Sequence, residues 1–484
     1  MSDIDFTIIG SGAGGSVAAY ELLSKGYTVE IFEEGLKFDN REMSAIDGIS
    51  TLWRNNGINL FQGNPILNFG EGKSVGGSTV INGGVIAHTP ENVLHEWDKN
   101  LGENFFLNDS FFEECKIIEN NLIPPKKNDN FEILSNSSKI LIDAAKKKEF
   151  TTKPTRLAFS NLNIDHNRPF GCKSGFKNSL DKNYHKNILN WGGRIISGTK
   201  VLNIIHNKNQ ISKIIVQKNS SKELKEIKVN NLILSAGSTQ TPSLLLNNKL
   251  VKNVNPLNFH MNLKILCLYD SSKDCHKSSL ITHHVREFEN DGVLFMSSSY
   301  IKPLIASYLN FLSSNKIVDF MKNFQNGAVF NCQIKPNFSN ATVKKSLFKN
   351  EISISWKLDQ RDFIKIIKYI KILTELVFIS GAKEVILPIE NNSEVFTKLD
   401  DAYRRINSLN KKNLEITSVH AMSSCSMSNK QDNLVDNFGK LKNFKNLHIM
   451  DSSILPTNTG QHPQLTIMST VSKLIKRNIE NKKI

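Results

Sequence analysis

The chain has 484 residues, of which 39% are hydrophobic and 22% are charged, a composition typical of a soluble globular protein with two or three domains. Its formal net charge of +15 comes from scattered lysines without a recognition-helix or aromatic-basic motif, which disfavours nucleic-acid binding and favours a solvated basic surface. No stretch stays apolar for the roughly 18 residues of a membrane span, and no secretory signal is present, so the sequence predicts a cytoplasmic protein.

Two further features of the composition bear on function. The six cysteines form no CxxC pair, which indicates reduced thiols, and no metal site is predicted. An anionic substrate or partner is the alternative explanation for the basic excess. Peripheral contact with a membrane is a second alternative, which no motif supports.

The first predicted elements are a strand, a glycine-rich turn, a helix and a second strand. Residues 5–9 and 28–32 are apolar runs typical of buried parallel strands, and residues 16–25 suit a helix. The segment GSGAGG occupies residues 10–15, between the first strand and the helix. This order is typical of a dinucleotide-binding unit, in which phosphates lie at the N-terminus of the helix.

Individual residues of this unit have separate expected roles. Gly10 permits a tight turn, Gly12 lets a pyrophosphate approach the backbone, and Gly15 lets the helix pack on the strand. Glu33 ends the second strand, where its carboxylate can accept hydrogen bonds from ribose hydroxyls. Glu34 is the alternative ribose ligand.

Later segments extend this pattern. Residues 70–84 are rich in glycine, and residues 231–242 read as an apolar strand that runs into a turn of small residues and a helix. Patterns over 263–269, 328–334 and 352–356 predict strands, and the apolar spacing of 359–380 predicts a helix that ends at Gly381.

These segments resemble the motifs of the glucose–methanol–choline (GMC) oxidoreductases, a family of FAD enzymes. The resemblance rests on the dinucleotide loop, GGSTVINGG at 76–84, FGCKSGFKNSLDKNY at 170–184, the SAG turn at 235–237 and the C-terminal stretch 446–477. It implies an α/β plus α+β fold. A discontinuous Rossmann-like FAD-binding domain would cover 1–250 and 420–484, and a substrate-binding domain built on an antiparallel sheet would cover 251–419.

The resemblance also implies a reaction and two catalytic residues. His420 opens HAMSSCSM and His462 lies in GQHPQLTIM, which are similar to the family's two substrate-facing segments. Oxidation of an alcohol to a carbonyl needs a base for the hydroxyl proton, for which histidine is suited, and a hydride acceptor, which is the flavin. We expect His420 to be the base and His462 to position the hydroxyl and share the alkoxide charge. The alternative for each histidine is a packing or capping role.

Further cofactor contacts follow from the same resemblance. Ser78 is expected at the phosphates or ribitol, Asn82 at the flavin ring, Val201 at the adenine and Asp451 near the ribitol and pyrophosphate. Pro463 suits the first position of a last helix over about 464–479, whose positive end would stabilise an anion at the flavin pyrimidine edge. The same loops supply the other expected cofactor contacts, Gly77, Gly83 and Ala236.

Other functions are open at this stage. Where the family often carries arginine, the chain has His88, an alternative site for a covalent flavin bond. A flavoprotein with another reaction on this fold, such as a photodecarboxylase or isomerase, is the second hypothesis, and a non-catalytic flavin-binding partner is the third. The sequence names neither the alcohol nor the electron acceptor, which could be oxygen, a quinone or a cytochrome.

Overall fold

The computed structural model describes most of the chain, in the ranges 3–38, 43–123, 134–160, 169–172, 176–277, 280–309, 312–346, 351–389, 394–431 and 433–484. Residues 173–175 of the 170–184 segment therefore lie outside the described residues. Within these ranges, no helix is both long enough and apolar enough to cross a bilayer.

The α-helices of the described residues, in chain order, are α1 (Ala13–Ser24), α2 (Ala45–Leu52), α3 (Glu91–Leu101), α4 (Asp109–Leu122), α5 (Asn136–Lys147), α6 (Tyr184–Asn190), α7 (Gly237–Asn247), α8 (Lys302–Tyr308), α9 (Ser314–Lys322), α10 (Gln360–Ile379), α11 (Leu399–Asn407) and α12 (Gln464–Glu480).

The strands of the same residues are β1 (Phe6–Ile9), β2 (Val29–Phe32), β3 (Leu60–Phe61), β4 (Leu67–Phe69), β5 (Val85–Ile86), β6 (Thr152–Pro154), β7 (Arg156–Leu157), β8 (Arg194–Ile196), β9 (Thr199–Asn207), β10 (Gln210–Lys218), β11 (Leu224–Lys228), β12 (Asn231–Leu234), β13 (Asn258–Phe259), β14 (Met261–Leu268), β15 (His283–Val285), β16 (Val293–Ser297), β17 (Gly327–Ile334), β18 (Ala341–Lys345), β19 (Ile352–Trp356), β20 (Glu384–Ile386), β21 (Ile416–Ser418), β22 (Ala421–Met422) and β23 (Leu447–Ile449).

A five-stranded parallel sheet carries the predicted dinucleotide-binding unit. Its strand order is β23–β12–β1–β2–β8, and each pair of neighbours runs parallel. Every residue of β1 and β2 is buried, as expected for a parallel sheet with both faces covered. The predicted strand–loop–helix–strand order is therefore present, and the glycine-rich loop lies at the carboxyl end of β1, where such sheets bind ligands.

A second, larger sheet has the order β3–β4–β21–β14–β17–β16–β15–β6, with β20 also paired to β14. Its centre is the antiparallel pair of β14 and β17, which runs from Met261 opposite Ile334 to Leu268 opposite Gly327. Both strands were expected from their patterns. The third predicted strand is β19, but it pairs with β18 in a separate two-stranded sheet.

Helix α10 forms where the sequence predicts it and packs against the large sheet. The side chain of Asp359 caps its first turn by accepting a hydrogen bond of 2.9 Å from the backbone N–H of Arg361. Gly381, with φ of +91°, follows the last turn in the left-handed conformation that glycine tolerates. Asp359 and Gly381 therefore mark the two ends of this helix.

Each sheet has its own apolar core. One core surrounds the parallel sheet with α1 and α12, and the other surrounds the large sheet with α10. Strands β3, β4 and β6 belong to the large sheet although they come from the first 250 residues. The domain boundaries expected from the sequence stay a prediction, since this region contributes to both sheets.

Candidate active site

A cavity of about 540 Å³ is lined by residues from both large sheets. It brings together thirteen of the fourteen predicted site residues from distant parts of the chain. These residues are Gly10, Gly12, Glu33, Gly77, Ser78, Asn82, Gly83, Val201, Ala236, His420, Asp451, His462 and Pro463. Gly15, the remaining one, does not line the cavity.

The glycines of the nucleotide loop differ in what surrounds them. A Cβ atom on Gly15 would lie 2.0 Å from the carbonyl oxygen of Gly10, so Gly15 permits the contact between helix and strand. A Cβ atom on Gly12 would meet only the Cα of Gly77, at the ordinary distance of 3.8 Å. Gly12 therefore faces open space beside the N-terminus of α1. This bare backbone, with the N–H groups of the first helical turn, fits the pyrophosphate of a dinucleotide such as FAD.

Glu33 ties the end of β2 to the loop. Its carboxylate accepts hydrogen bonds from the backbone N–H and hydroxyl of Ser11, at 2.9 and 2.8 Å, and from the N–H of Gly35 at 2.7 Å. Burial raises the pKa of this carboxyl group, although the three hydrogen bonds oppose the increase. Glu33 therefore organises the loop itself as well as lining the cavity.

An arginine to which the sequence assigned no role lies beside the acidic side chains of Glu34 and Glu71. The guanidinium of Arg54 forms an ion pair with Glu34 at 3.0 Å and a second one with Glu71, and all three side chains line the cavity. The Arg54 guanidinium and Lys200 hold the pKa of Glu34 below its usual value against the effect of burial. No motif surrounds Arg54, so only spatial proximity identifies it.

The 70–84 loop is held in place by hydrogen bonds to Gln464 and Lys177. Asn82 donates a hydrogen bond of 2.6 Å from Nδ2 to Oε1 of Gln464, at the start of α12. The buried Lys177 donates from Nζ to the carbonyl oxygens of Val80 and Asn82, at 2.9 and 2.6 Å. Sequence reasoning missed Lys177, which lies in the 170–184 segment but was not assigned a role.

Asp451 joins two turns at the carboxyl ends of β12 and β23. Its Oδ2 accepts hydrogen bonds from the N–H of Gly237 at 2.9 Å and from the hydroxyl of Thr241 at 2.6 Å, and its Oδ1 accepts from the N–H of Ser453 at 2.8 Å. Burial raises its pKa against these hydrogen bonds. Asp451 thus holds the backbone of a cofactor cavity in place.

Four histidines lie together where the cavity meets the large sheet. The rings of the two predicted catalytic residues, His420 and His462, are 5.1 Å apart between centroids. His284 stacks on His462 with centroids 5.3 Å apart and an interplanar angle of 2°, and His260 meets the edge of His420 at 5.3 Å. His260 and His284 were missed because no motif marks them.

The hydrogen bonds of His260 fix the proton positions in this cluster. The backbone N–H of Gly460 donates to Nε2 of His260 at 3.0 Å, so that nitrogen is an acceptor. A neutral His260 then carries its proton on Nδ1, which lies 3.1 Å from Nδ1 of His420 and donates to it. A neutral His420 must therefore carry its own proton on Nε2.

Burial keeps these histidines neutral. It lowers the pKa of His260 to about 3 and that of His462 to about 4. The pKa of His420 lies well below its usual value, because of burial first and then because of the neighbouring His462 and His260. Above about pH 5 each ring can accept a proton or donate one hydrogen bond, according to its tautomer.

The large sheet closes the cavity with polar side chains. They project from β14, β17 and the neighbouring β21, and they are Asn262, Lys264, Asn331, Gln333 and Thr417. Register places Asn262 opposite Gln333 and Lys264 opposite Asn331. Alternate residues of a strand share a face, so this wall is polar while Leu263 and Ile265 point into the core.

His88, the alternative site for a covalent flavin bond, does not line this cavity. Its ring forms an ion pair of 3.1 Å with Glu119, and its side chain is 51% exposed. Hydrogen bonds to Cys115 and Glu119 raise its pKa to about 9. The structure gives His88 a surface role near the start of α3.

A parallel sheet with a glycine-rich nucleotide loop, joined to a histidine-lined cavity, defines a dinucleotide-dependent oxidoreductase. The chain belongs to the GMC oxidoreductase family, whose N-terminal model matches residues 5–264 and whose C-terminal model matches residues 341–470. The cofactor of this family is FAD.

Relatives and solved structures resemble the chain over nearly its whole length. An uncharacterised GMC-type oxidoreductase of Sinorhizobium fredii is 25% identical, over 98% of this chain and 94% of the relative. A long-chain-alcohol oxidase of Arabidopsis thaliana is 22% identical, over 96% of this chain and 66% of that enzyme. The structure of pyridoxine 4-oxidase from Mesorbium loti superimposes with a TM-score of 0.72 at 13% identity, covering 99% of both chains, which supports the fold.

Proposed function

We propose that this protein oxidises an alcohol to a carbonyl compound, with FAD bound in the cavity. The proposal rests on one observation: the rings of His420 and His462 lie next to each other in the cavity that also contains the nucleotide loop. The bound FAD supplies the hydride acceptor. The long-chain-alcohol oxidase and pyridoxine oxidase among the similar proteins are consistent with this chemistry.

The hydrogen bonds support a division of roles within the histidine pair that differs from the sequence expectation. Since Nε2 of His420 carries a proton, His420 can donate a hydrogen bond to the substrate oxygen and stabilise the alkoxide that develops there. Nδ1 of His462 is buried and has no hydrogen-bond partner among the described residues, so no hydrogen bond at that nitrogen fixes the tautomer, and Nε2 can be the nitrogen that accepts the hydroxyl proton. We therefore assign the base to His462 and the donor to His420.

The depressed pKa of His462 sets the pH dependence of the proton transfer. A group with a pKa of about 4 is neutral and able to accept a proton at every pH above about 5. We expect the rate of flavin reduction to stay level from pH 8 to pH 5 and to fall as the pH drops through about 4. A free histidine would instead give a transition near about 6.5.

Anaerobic stopped-flow reduction of the flavin by a panel of primary and secondary alcohols tests the function and the roles. His462→Gln should slow reduction by about 10²–10⁴, the usual contribution of a general base. The matched variant His420→Gln keeps an N–H donor near the same position and should lose about tenfold or less. A larger loss in His420→Gln than in His462→Gln would reverse the roles, and no reduction of wild-type flavin by any alcohol would contradict the function.

A further inference from the structure

Lys264 is the unusual member of the polar cavity wall. It lies on β14, four residues beyond His260, and its side chain is partly buried. Its Nζ donates a hydrogen bond of 2.8 Å to Oγ1 of Thr417 and lies 4.7 Å from the ring centroid of Tyr308. The cavity face of β14 therefore carries a basic side chain.

Among the described residues, no carboxylate lies within 4.0 Å of this ammonium group. Glu415 acts on it from a greater distance and raises its pKa, but burial has the larger effect and lowers that pKa to about 8. A charge removed from water without an ion pair is costly, which is why such lysines are rare in a protein core.

The other polar groups of the cavity wall can also form hydrogen bonds with a bound ligand. Asn331 lies opposite Lys264, and its Nδ2 donates a hydrogen bond of 2.7 Å to Oδ1 of Asn262. Gln333 and Thr417 add further neutral hydrogen-bonding groups. Together these side chains offer one positive charge and several hydrogen-bond donors to whatever enters the cavity.

We propose that Lys264 binds a carboxylate carried by the substrate, so that the preferred substrate is a hydroxy acid with the alcohol and the carboxylate at opposite ends. This inference rests on the proposed function. His260, which contacts His420, directly precedes β14, and Lys264 lies four residues further along the chain, on the cavity face of that strand. A substrate that joins the two groups by an extended chain can span this separation. The alcohol would then lie at the histidine pair while the carboxylate reaches Lys264.

Two measurements on the FAD-loaded protein test the anion subsite. The first is binding of decanoate, which has no hydroxyl group to oxidise, followed by the change in flavin absorbance. One charge-assisted hydrogen bond corresponds to about 10–150-fold in affinity, so Lys264→Met should raise the Kd of decanoate by that factor. The control Lys344→Met alters an exposed lysine on β18 and should leave this Kd unchanged.

The second measurement compares kcat/KM for 10-hydroxydecanoate with that for 1-decanol. Wild type should favour the hydroxy acid, and Lys264→Met should lower the ratio of the two values by about 10–150-fold. Oxidation of decanol with an unchanged ratio and an unchanged decanoate Kd in Lys264→Met would overturn the anion subsite and leave the proposed function standing. Decanoate binding that depends on Lys264, without flavin reduction by these two compounds or by any alcohol of the panel, would support the subsite and contradict the proposed function.

Discussion

Gly12 and Gly14 are separated by one residue, yet the structure gives them different constraints. A Cβ atom on Gly14 would lie 1.9 Å from the carbonyl oxygen of Met450, whereas one on Gly12 would meet only a Cα at 3.8 Å. The backbone of Gly12, with φ of −75°, is also open to any residue. The loop therefore separates a position that affects folding from one that affects cofactor binding.

Gly12→Ala should fold normally and bind FAD at least about tenfold more weakly, because its methyl group would occupy the space through which the pyrophosphate approaches the backbone. Gly14→Ala should instead destabilise the FAD-free protein, because its methyl group overlaps a backbone carbonyl. FAD titration by fluorescence and urea unfolding of the FAD-free proteins separate the two effects. An unchanged Kd for FAD in Gly12→Ala would show that the phosphates lie elsewhere.

At the scale of elements, the parallel sheet contains one buried residue, His448, that we expect to lower the stability of the fold. His448 lies in the middle of β23 with no exposed surface, and neither ring nitrogen has a hydrogen-bond partner among the described residues. Burial lowers its pKa to about 3. A leucine at this position would fill a similar volume without the cost of burying unpaired polar atoms.

We expect His448→Leu to raise the free energy of unfolding by about 1–3 kcal/mol at pH 7.5, the usual cost of a buried unpaired polar group. The gain should grow on acidification. In the unfolded chain this histidine has a pKa of about 6.5 and is protonated below that pH, whereas in the folded protein it stays neutral. The free energy of unfolding of the wild type therefore falls by up to about 1.36 kcal/mol per pH unit below 6.5. Urea unfolding at pH 7.5 and 5.0 measures both effects. The exposed His95 on α3 provides the control, and an equal gain in His95→Leu would contradict the explanation.

Elements also show where sequence patterns succeed. The apolar spacing of 359–380 gave α10 within one residue at each end, because Asp359 and Gly381 act locally as cap and stop. The first helix begins at Ala13, three residues before the predicted start, and it includes Gly14 and Gly15, where an added Cβ would overlap the backbone of Met450 and Gly10. Pro463 is likewise the N-cap of α12 and not its first residue.

At the scale of the whole molecule, the cavity is lined by both cores, so a bound cofactor couples their stability. Gly12 and Glu33 come from the parallel sheet, while Asn262 and Lys264 come from the large one. A ligand that binds only the folded chain stabilises it by mass action. Binding to a cavity shared by both sheets should therefore stabilise them together.

We expect removal of FAD to lower the unfolding temperature of both sheets. At a free FAD concentration of 100 times its Kd, the cofactor should add about 2.7 kcal/mol to the free energy of unfolding. Thermal unfolding followed by circular dichroism and by flavin fluorescence, with and without added FAD, measures this contribution. Loss of flavin well below an unshifted main transition would indicate that the cofactor does not link the two cores.

The sequence by itself determined the nucleotide loop, the strands that flank it and the long helix α10, because these depend on short-range spacing of glycine, acidic and apolar residues. The resemblance of its motifs indicated the family, which the family models confirm. The same resemblance predicted catalytic roles for His420 and His462, which the structure brings together in one cavity. Only the tertiary structure brought Arg54 and Lys264 to the cavity, and His260 and Lys177 to residues that line it. No local pattern assigned a role to any of them, because each role depends on a partner 95 or more residues away or on a salt bridge across a loop. The proton position on His420 is likewise a property of three-dimensional contact, since it follows from a backbone N–H at Gly460 that acts through the ring of His260.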